Sequence, residues 1–315
     1  MKKHINIAIQ MDPLEKINPK EDSTFVIAKE AQRRGFKIFH YLPKNITLKN
    51  NSITAKGFYF KILNSGVKFF KKEKEKTVNL NNFDCVLVRQ DPPFNMEYIT
   101  ATYLLEMLHK KVLVVNNPAE IRNNPEKLSM MHFKNLIPKT LISQNLNEIQ
   151  TFINQNNYTI LKPLYGNGGE GIKKVKRNSS TNKKIIHRMI KKYKGAIVAQ
   201  KFINEITKGD RRIILLDGEY AGSVARIPKK GSIKANFHAG GSAKKTGLVF
   251  RDKKICSQLK SFLKKRGLFF VGIDVIGNYL TEINVTSPTG MQEINLLNKI
   301  SLEKKFWDKL ERKLN

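Results

Sequence analysis

Apolar and polar positions alternate at the start of this chain, shift to a helical rhythm, and alternate again. Residues 4–10 (HINIAIQ) have the period-two pattern of a strand. Asp22 or Ser23 then caps a helix with the apolar face Phe25, Ile27, Ala28 and Ala31, ending at Gly35. FKIFHYL at 36–42 is a second strand, so the chain opens with a β-α-β unit and a parallel sheet. Residues 45–82 are polar and lysine-rich, with KKEKEK at 71–76, and read as an exposed excursion. The pattern resumes with strand 84–89 (DCVLVR), a turn at Pro92–Pro93, helix 97–109 and strand 112–116.

Beyond Asn117–Pro118 the pattern changes. A short helix, 119–131, carries Lys127, and strand 139–142 and helix 147–155 follow. YTILKPL, GNGGEG and IKKVKR read as strand, glycine loop and strand; helix 181–193 leads into strand 196–203. Residues 211–227 form a hairpin turning at Asp217–Gly218. A long glycine- and lysine-rich loop spans 228–247, helix 252–266 ends at Gly267, and strands 269–276 and 280–286 make a last hairpin. The expected architecture is an α/β N-terminal domain with a parallel sheet over 1–122, then two α+β subdomains with antiparallel sheets over 123–202 and 203–315.

Composition narrows the class. At 315 residues and 40% hydrophobic content the chain holds two or three packed domains. No apolar run reaches the 18 or so residues of a membrane helix, and the N-terminus reads as a strand rather than a signal peptide. Cys85 and Cys256 make neither a disulfide framework nor a zinc site, and Cys85 lies in an apolar run, so a reduced, cytoplasmic protein is expected. The net charge of +32 is spread along the whole chain, and 46 of the 58 basic residues are lysine. Readers of phosphates and bases favour arginine forks. The charge reads as a solvated basic surface that attracts anionic substrates such as ATP; a nucleic-acid partner has charge alone in its favour.

Two stretches carry chemistry. Gly166, Gly168 and Gly171 fit the spacing G-x-G-x-x-G, but a strand follows them instead of a helix, and no acidic residue occurs between Gly171 and Glu205. No G-K-[ST] follows either. What remains is a glycine loop between antiparallel strands, of the kind that lays backbone N–H groups over ATP phosphates, with Lys162 on the strand before it. A tight hairpin with an exposed lysine is the plainer reading, yet four glycines in six residues are costly for a mere turn.

The second stretch is VGIDVIGNYLTEIN. Glu282 and Asn284 share one strand face. A two-residue turn at Gly277–Asn278 would send Glu282 away from Asp274; a three-residue loop, Gly277–Asn278–Tyr279, would pair them. In the second register Asp274, Glu282 and Asn284 form an oxygen-rich patch suited to Mg²⁺, with Mn²⁺ as a substitute, and unsuited to zinc. The plainer reading is a solvated strand face. Arg89, Gln90 and Asp91 stand at the C-terminal end of strand 84–89, where open α/β sheets contact ligands, although a surface ion pair between Arg89 and Asp91 would account for them too.

These pieces occur in a familiar order: Lys127, LKP at 161–163, the glycine loop, AQKFI at 199–203, GDRR at 209–212, ARIP at 225–228, AGG at 239–241, GIDVIG at 272–277 and TEINVTSPTG at 281–290. The order resembles that of ATP-grasp ligases. MDP at 11–13, EAQRRG at 30–35, RQDPPF at 89–94 and ATYLLE at 101–106 extend the resemblance to the bacterial glutathione synthetase family over nearly the whole chain. Its departures are the lysine-rich stretch around 60–80 and the extra lysines in 229–245. The resemblance implies two subdomains of the ATP-grasp type and an ATP-dependent condensation of γ-glutamylcysteine with glycine. It implies that Lys127 and Lys162, the loop residues Gly166, Asn167, Gly168, Gly169 and Gly171, the segment Gln200, Lys201, Phe202 and Ile203, and Asp210 bind ATP. Arg226 would act with Lys162 on the reacting groups; Arg89, Arg212, Arg226, Ser287 and Thr289 would hold substrate; Gly240 and Gly241 would belong to a lid; Asp274, Glu282 and Asn284 would hold the metal. Family members form homo-oligomers, typically tetramers, but no stretch of the sequence marks an interface. His238 reads as an incidental loop histidine rather than a base. The rival readings are another ATP-grasp carboxylate–amine ligase and, more distantly, a basic nucleic-acid-binding protein.

Overall fold

The computed structural model describes residues 5–63, 69–166, 168–237 and 240–314, so Asn167, His238 and Ala239 lie outside the described residues. The opening β-α-β unit forms as its pattern dictates. Strand β1 (Asn6–Gln10) is followed by helix α1 (Ser23–Arg33), whose N-cap Asp22 accepts a hydrogen bond from the Phe25 N–H at 2.6 Å. Strand β2 (Lys37–Lys49) returns parallel to β1.

The stretch after β2 departs from expectation. Residues 45–82, read as an exposed excursion, mostly extend the sheet: β2 continues into β3 (Ser52–Ile62), and β4 (Phe70–Lys72) and β5 (Lys76–Asn79) both pair with β3. Ile53, Ala55, Phe58, Phe60 and Ile62 are buried along β3. The lysines between them point outward and mask the period-two pattern in the composition. Strand β6 (Cys85–Val88), helix α2 (Met96–Glu106) and strand β7 (Leu113–Val115) complete a seven-stranded sheet in the order β4-β3-β2-β1-β6-β7 with β5 beside β3. Its β2-β1-β6-β7 part is parallel.

The predicted helix 119–131 is broken. Helix α3 covers Pro118–Asn123, Asn124 leaves the helical region at φ −122°, and a 3-10 turn follows only at Ser129–His132. The cause is Pro125, which disfavours helical geometry at the residue before it. Lys127 therefore sits in an irregular turn. Strand β8 (Thr140–Ser143), helix α4 (Leu146–Asn154), strands β9 (Tyr158–Pro163) and β10 (Lys173–Lys176), helix α5 (Asn182–Tyr193) and strand β11 (Ile197–Lys201) form a four-stranded antiparallel sheet ordered β10-β9-β11-β8.

A third, antiparallel sheet has the order β14-β13-β12-β15-β16. It comprises β12 (Asp210–Leu216), β13 (Glu219–Ile227), β14 (Ser242–Lys245), β15 (Phe270–Ile276) and β16 (Tyr279–Asn284), with helix α6 (Phe250–Lys265) between β14 and β15. The Asp217–Gly218 turn has positive φ at both residues, 53° and 71°, as a tight hairpin of this hand requires. The loop predicted over 228–247 contains β14, which pairs with β13 and fixes its far end.

Two helices that the sequence pattern left unread close the chain. Helices α7 (Met291–Asn298) and α8 (Leu302–Leu314) return to the first sheet, where Phe306, Trp307 and Leu310 join Ile7, Ile27 and Ala31 in one buried cluster. The Trp307 indole N–H donates to the Ile27 carbonyl at 2.8 Å. Arg34, one turn beyond, pairs with Asp308 and Glu311. Each large side chain so buried contributes about 1.5–3 kcal/mol. Among the described residues no helix is long and apolar enough to cross a membrane.

Candidate functional site

The second and third sheets face each other across a cavity of about 470 Å³. The two hairpins singled out from the sequence meet there. The glycine loop joins β9 to β10 as an antiparallel connection, with Gly168, Gly169 and Gly171 at φ of 60°, 73° and 71°. Such angles suit glycine and strain other residues. A Cβ on Gly171 would lie 2.0 Å from the Tyr193 hydroxyl, so α5 braces the loop from behind.

The carboxylate hairpin has the register needed for a shared patch, reached by another route. Asp274 pairs with Glu282 and Gly272 with Asn284, but the turn itself is two residues, because Ile276 pairs with Tyr279. The shift occurs between Asp274 and Val275, where Thr281 is the extra residue of a β-bulge. Its hydroxyl donates to the Asp274 carbonyl at 3.1 Å. The expected three-residue loop is thus replaced by a two-residue turn plus a bulge, and Asp274, Glu282 and Asn284 all line the cavity.

The charges are arranged in two groups. Lys127 and Lys162, both buried, approach Glu282 at 3.9 and 3.8 Å. The Lys127 ammonium also donates to Glu126 at 3.0 Å and to the Gly166 carbonyl at 2.6 Å, tying the glycine loop to the broken helix. Burial works against its charge, but Glu126 and Glu282 outweigh burial and hold the Lys127 pKa above the ordinary lysine value. Lys162 lacks such close support: burial, with like charge from Lys127, leaves its pKa lowered despite Glu282. Burial and the neighbouring Glu282 push the Glu126 pKa up to about 8, against the pull of the Lys127 ammonium. Glu126 was not foreseen; its signal was its place beside Lys127.

The second group is a buried quartet. Arg226 clasps Asp210 with bonds of 2.7 and 2.6 Å and reaches Asp274 at 2.8 Å. Arg212 binds the same Asp274 at 2.6 and 3.0 Å and the Thr289 carbonyl at 3.1 Å. Burial opposes the Asp274 charge, but the two guanidiniums hold its carboxyl well below the usual carboxylate range.

Of the other predicted residues, Gly166, Gly168, Gly169, Gln200, Lys201, Phe202, Ile203, Ser287 and Thr289 line the cavity, whereas Gly171, Gly240, Gly241 and Arg89 do not. Ile160, Ile172, Ile206 and Ile276 give the Gln200–Ile203 end an apolar lining. Residues 233–237 of the expected lid cover another side: a Cβ on Gly169 would meet Asn236 at 3.2 Å and Lys234 at 3.4 Å. Gly240 has φ 79°, and a Cβ on Gly241 would fall 2.0 Å from the Ala235 carbonyl, so both belong to a tight fold of that segment. Arg89 is buried behind Ser287–Pro288 rather than paired with Asp91 as an exposed ion pair. It donates to Thr24 at 3.0 Å and to the Pro288 carbonyl at 3.1 Å, and lies 4.9 Å from the Phe270 ring. Its Nη1 is buried without a hydrogen-bond partner among the described residues.

A phosphate site built on Lys162 has a pH signature. Binding a polyanion favours the protonated amine, so affinity is lost as pH rises through the Lys162 pKa. That pKa is lowered from 10.5, so the ATP dissociation constant is expected to begin rising below pH 10.5. Equilibrium titrations from pH 7 to 10.5 check this; constant affinity over the range would remove Lys162 from the phosphate contacts.

Antiparallel sheets gripping a cation-lined cavity under a glycine loop are the architecture of the ATP-grasp ligases. The fold is similar to that of a D-cycloserine synthetase (TM-score 0.69, 12% identity, 98% of this chain and 100% of that one). It is also similar to that of a D-alanyl-alanine synthetase A from Vibrio cholerae (TM-score 0.63, 11% identity, 100% and 99%). The model of the prokaryotic glutathione synthetase N-terminal domain matches residues 5–122, and that of the prokaryotic glutathione synthetase ATP-grasp domain matches 126–299. The chain is 42% identical to a glutathione synthetase of Agrobacterium fabrum over 99% of its own length and 98% of the relative's. It is 41% identical to that of Vibrio cholerae over 98% of each. The chain belongs to the prokaryotic glutathione synthetase family.

Proposed function

We propose that this protein is an ATP-dependent ligase that joins γ-glutamylcysteine to glycine, releasing glutathione, ADP and phosphate. The observation that carries the reading is the convergence of Lys127, Lys162 and Glu282 beneath the glycine loop, in a chain of this family. Residues 1–122, 123–202 and 203–315 are taken as its three structural units, in keeping with the three sheets.

A carboxylate is a poor acyl donor, so ATP first converts it to an acyl phosphate; the glycine amine then attacks and phosphate leaves. Negative charge grows on phosphoryl and carbonyl oxygens, and preorganised cations stabilise it. Lys127 and Lys162 hold nucleotide phosphates, helped by the N–H groups of Gly166, Gly168 and Gly169, and the Gln200–Ile203 segment with its isoleucines receives the adenine. Arg226, oriented by Asp210, faces the reacting carboxylate. Arg212, Ser287 and Thr289 line the substrate end, and Arg89 braces that end from behind through the Pro288 carbonyl. Segment 233–237, with Gly240 and Gly241 behind it, excludes water that would hydrolyse the acyl phosphate. Glu282 and Asn284 present oxygen donors to the cavity and fit a Mg²⁺ ion, with Asp274 on the neighbouring strand oriented by the two arginines. When bound, that ion neutralises phosphate charge.

A coupled ADP-release assay tests the reading. Turnover is expected only with γ-glutamylcysteine and glycine together. Turnover with other amino acids but not this pair would assign the chain to another carboxylate–amine ligase activity.

A further inference from the structure

At its start the glycine loop touches the first unit through an aromatic pair. Tyr165 stands immediately before Gly166, is 53% exposed, and belongs to no buried apolar cluster among the described residues. Its ring instead stacks on Phe94, with centroids 6.0 Å apart and planes inclined by 22°. A near-parallel pair at this distance lies in the favoured range for aromatic rings. Phe94 is a fixed platform. It packs against a buried cluster of the first sheet and lies 5.2 Å from the buried ring of Tyr98. Its segment is pinned on both sides: the Asp91 N–H donates to Asp12 at 2.8 Å, and the Asn95 side chain accepts from the Tyr98 N–H at 3.0 Å. Pro92 and Pro93 stiffen the backbone between these bonds.

The loop itself supplies little stiffness, since glycine carries more conformational freedom than any other residue. Tyr193 braces its far end behind Gly171, and Lys127 bonds the Gly166 carbonyl at 2.6 Å. Tyr165 adds a contact that reaches another unit. Pro92 and Gly166 line the cavity, whereas Phe94 and Tyr165 do not. The stack therefore acts on the loop and not on a ligand. We infer that Tyr165 is a positioning residue: by stacking on Phe94 it docks the glycine loop against the first unit and holds the N–H groups of Gly166, Gly168 and Gly169 where nucleotide phosphates bind. The inference rests on the ligase reading of the cavity. A stacked pair is worth about three- to tenfold in an equilibrium constant, and it favours only ligands that need the docked loop. ATP needs that loop for its phosphates. Adenosine, received at the Gln200–Ile203 end, does not.

Equilibrium binding of ATP and of adenosine to the full-length protein tests it. Tyr165→Ala and Phe94→Ala are each expected to raise the ATP dissociation constant about three- to tenfold and to leave that of adenosine within about twofold of the wild type. The double variant is expected to lose no more than the larger single loss, because the two rings act as one contact. Tyr165→Phe, which keeps the ring, is expected to bind ATP as the wild type does. Equal losses for ATP and adenosine would mean that Tyr165 only supports the fold of its unit, and would overturn the inference. Unaltered ATP affinity in Tyr165→Ala, or additive losses in the double variant, would overturn it too. A wild type that binds neither ligand would overturn the ligase reading and this inference with it. A wild type that turns over γ-glutamylcysteine and glycine, while Tyr165→Ala binds ATP normally, would overturn the inference alone.

Discussion

Glu282→Gln is expected to leave the fold intact and to lower turnover by at least about 10²-fold, the scale of losing one preorganised stabiliser. The substitution keeps volume and hydrogen-bonding capacity and removes one negative charge. That charge lies within 4 Å of both Lys127 and Lys162, at 3.9 and 3.8 Å, and belongs to the oxygen patch that fits a divalent cation. Relieved of a competing carboxylate, the two ammoniums should hold nucleotide phosphates at least as well as before. The loss should therefore appear in kcat and in the cation dependence, not in a weakened ATP dissociation constant. ADP release under saturating substrates, with a melting curve alongside, measures both. Turnover near that of the wild type would show that Glu282 is not a principal cation ligand.

Arg226→Met has the largest expected effect on stability. Arg226 is 3% exposed and bonds two buried carboxylates, Asp210 and Asp274. Removing one partner from a buried ion network leaves its counter-charge stranded, at a cost of about 3–5 kcal/mol. Asp274 keeps Arg212, so Asp210 suffers most. Asp210→Asn added to Arg226→Met should recover part of the loss, because it removes the stranded charge. Urea unfolding of the two variants and the wild type compares them. A single variant within about 1 kcal/mol of wild type would mean that the cavity already solvates Asp210 well.

Much of this was legible in the sequence because the signals were local. The cap at Asp22, the Asp217–Gly218 turn and the alternation in β12, β13 and β15 each lie within a few residues. Glu282 and Asn284 share a face by period alone, and the hairpin brings Asp274 to them. The details that escaped depend on contacts distant in sequence. Sequence alone allowed two turn lengths and gave no sign that a bulge at Thr281 would recover the register after the shorter one. The β2–β3 extension was hidden because its lysines dominate the composition while its buried positions alternate beneath them. The Asp210–Arg226–Asp274–Arg212 quartet assembles residues from three strands, and no local spacing announces it. Asn116, read as the last residue of strand 112–116, gives no local sign of its partners: its side chain bonds the Phe270 N–H and carbonyl and the Val285 carbonyl once β15 arrives. The break at Pro125 was readable from the proline itself.

The packing of α8 on α1 also bears on how the chain is made. During synthesis α1 emerges from the ribosome long before Phe306 and Trp307 exist, and domains ordinarily fold as they appear, N-terminal first. Here the first domain cannot finish. The Ile27 carbonyl awaits the Trp307 indole, and the cluster around Ile7 and Ala31 awaits the last helix. Nascent chains that lack α8 thus present an unfinished apolar surface, and a truncation before Phe306 would strip the N-terminal domain of its cover while leaving every cavity residue encoded.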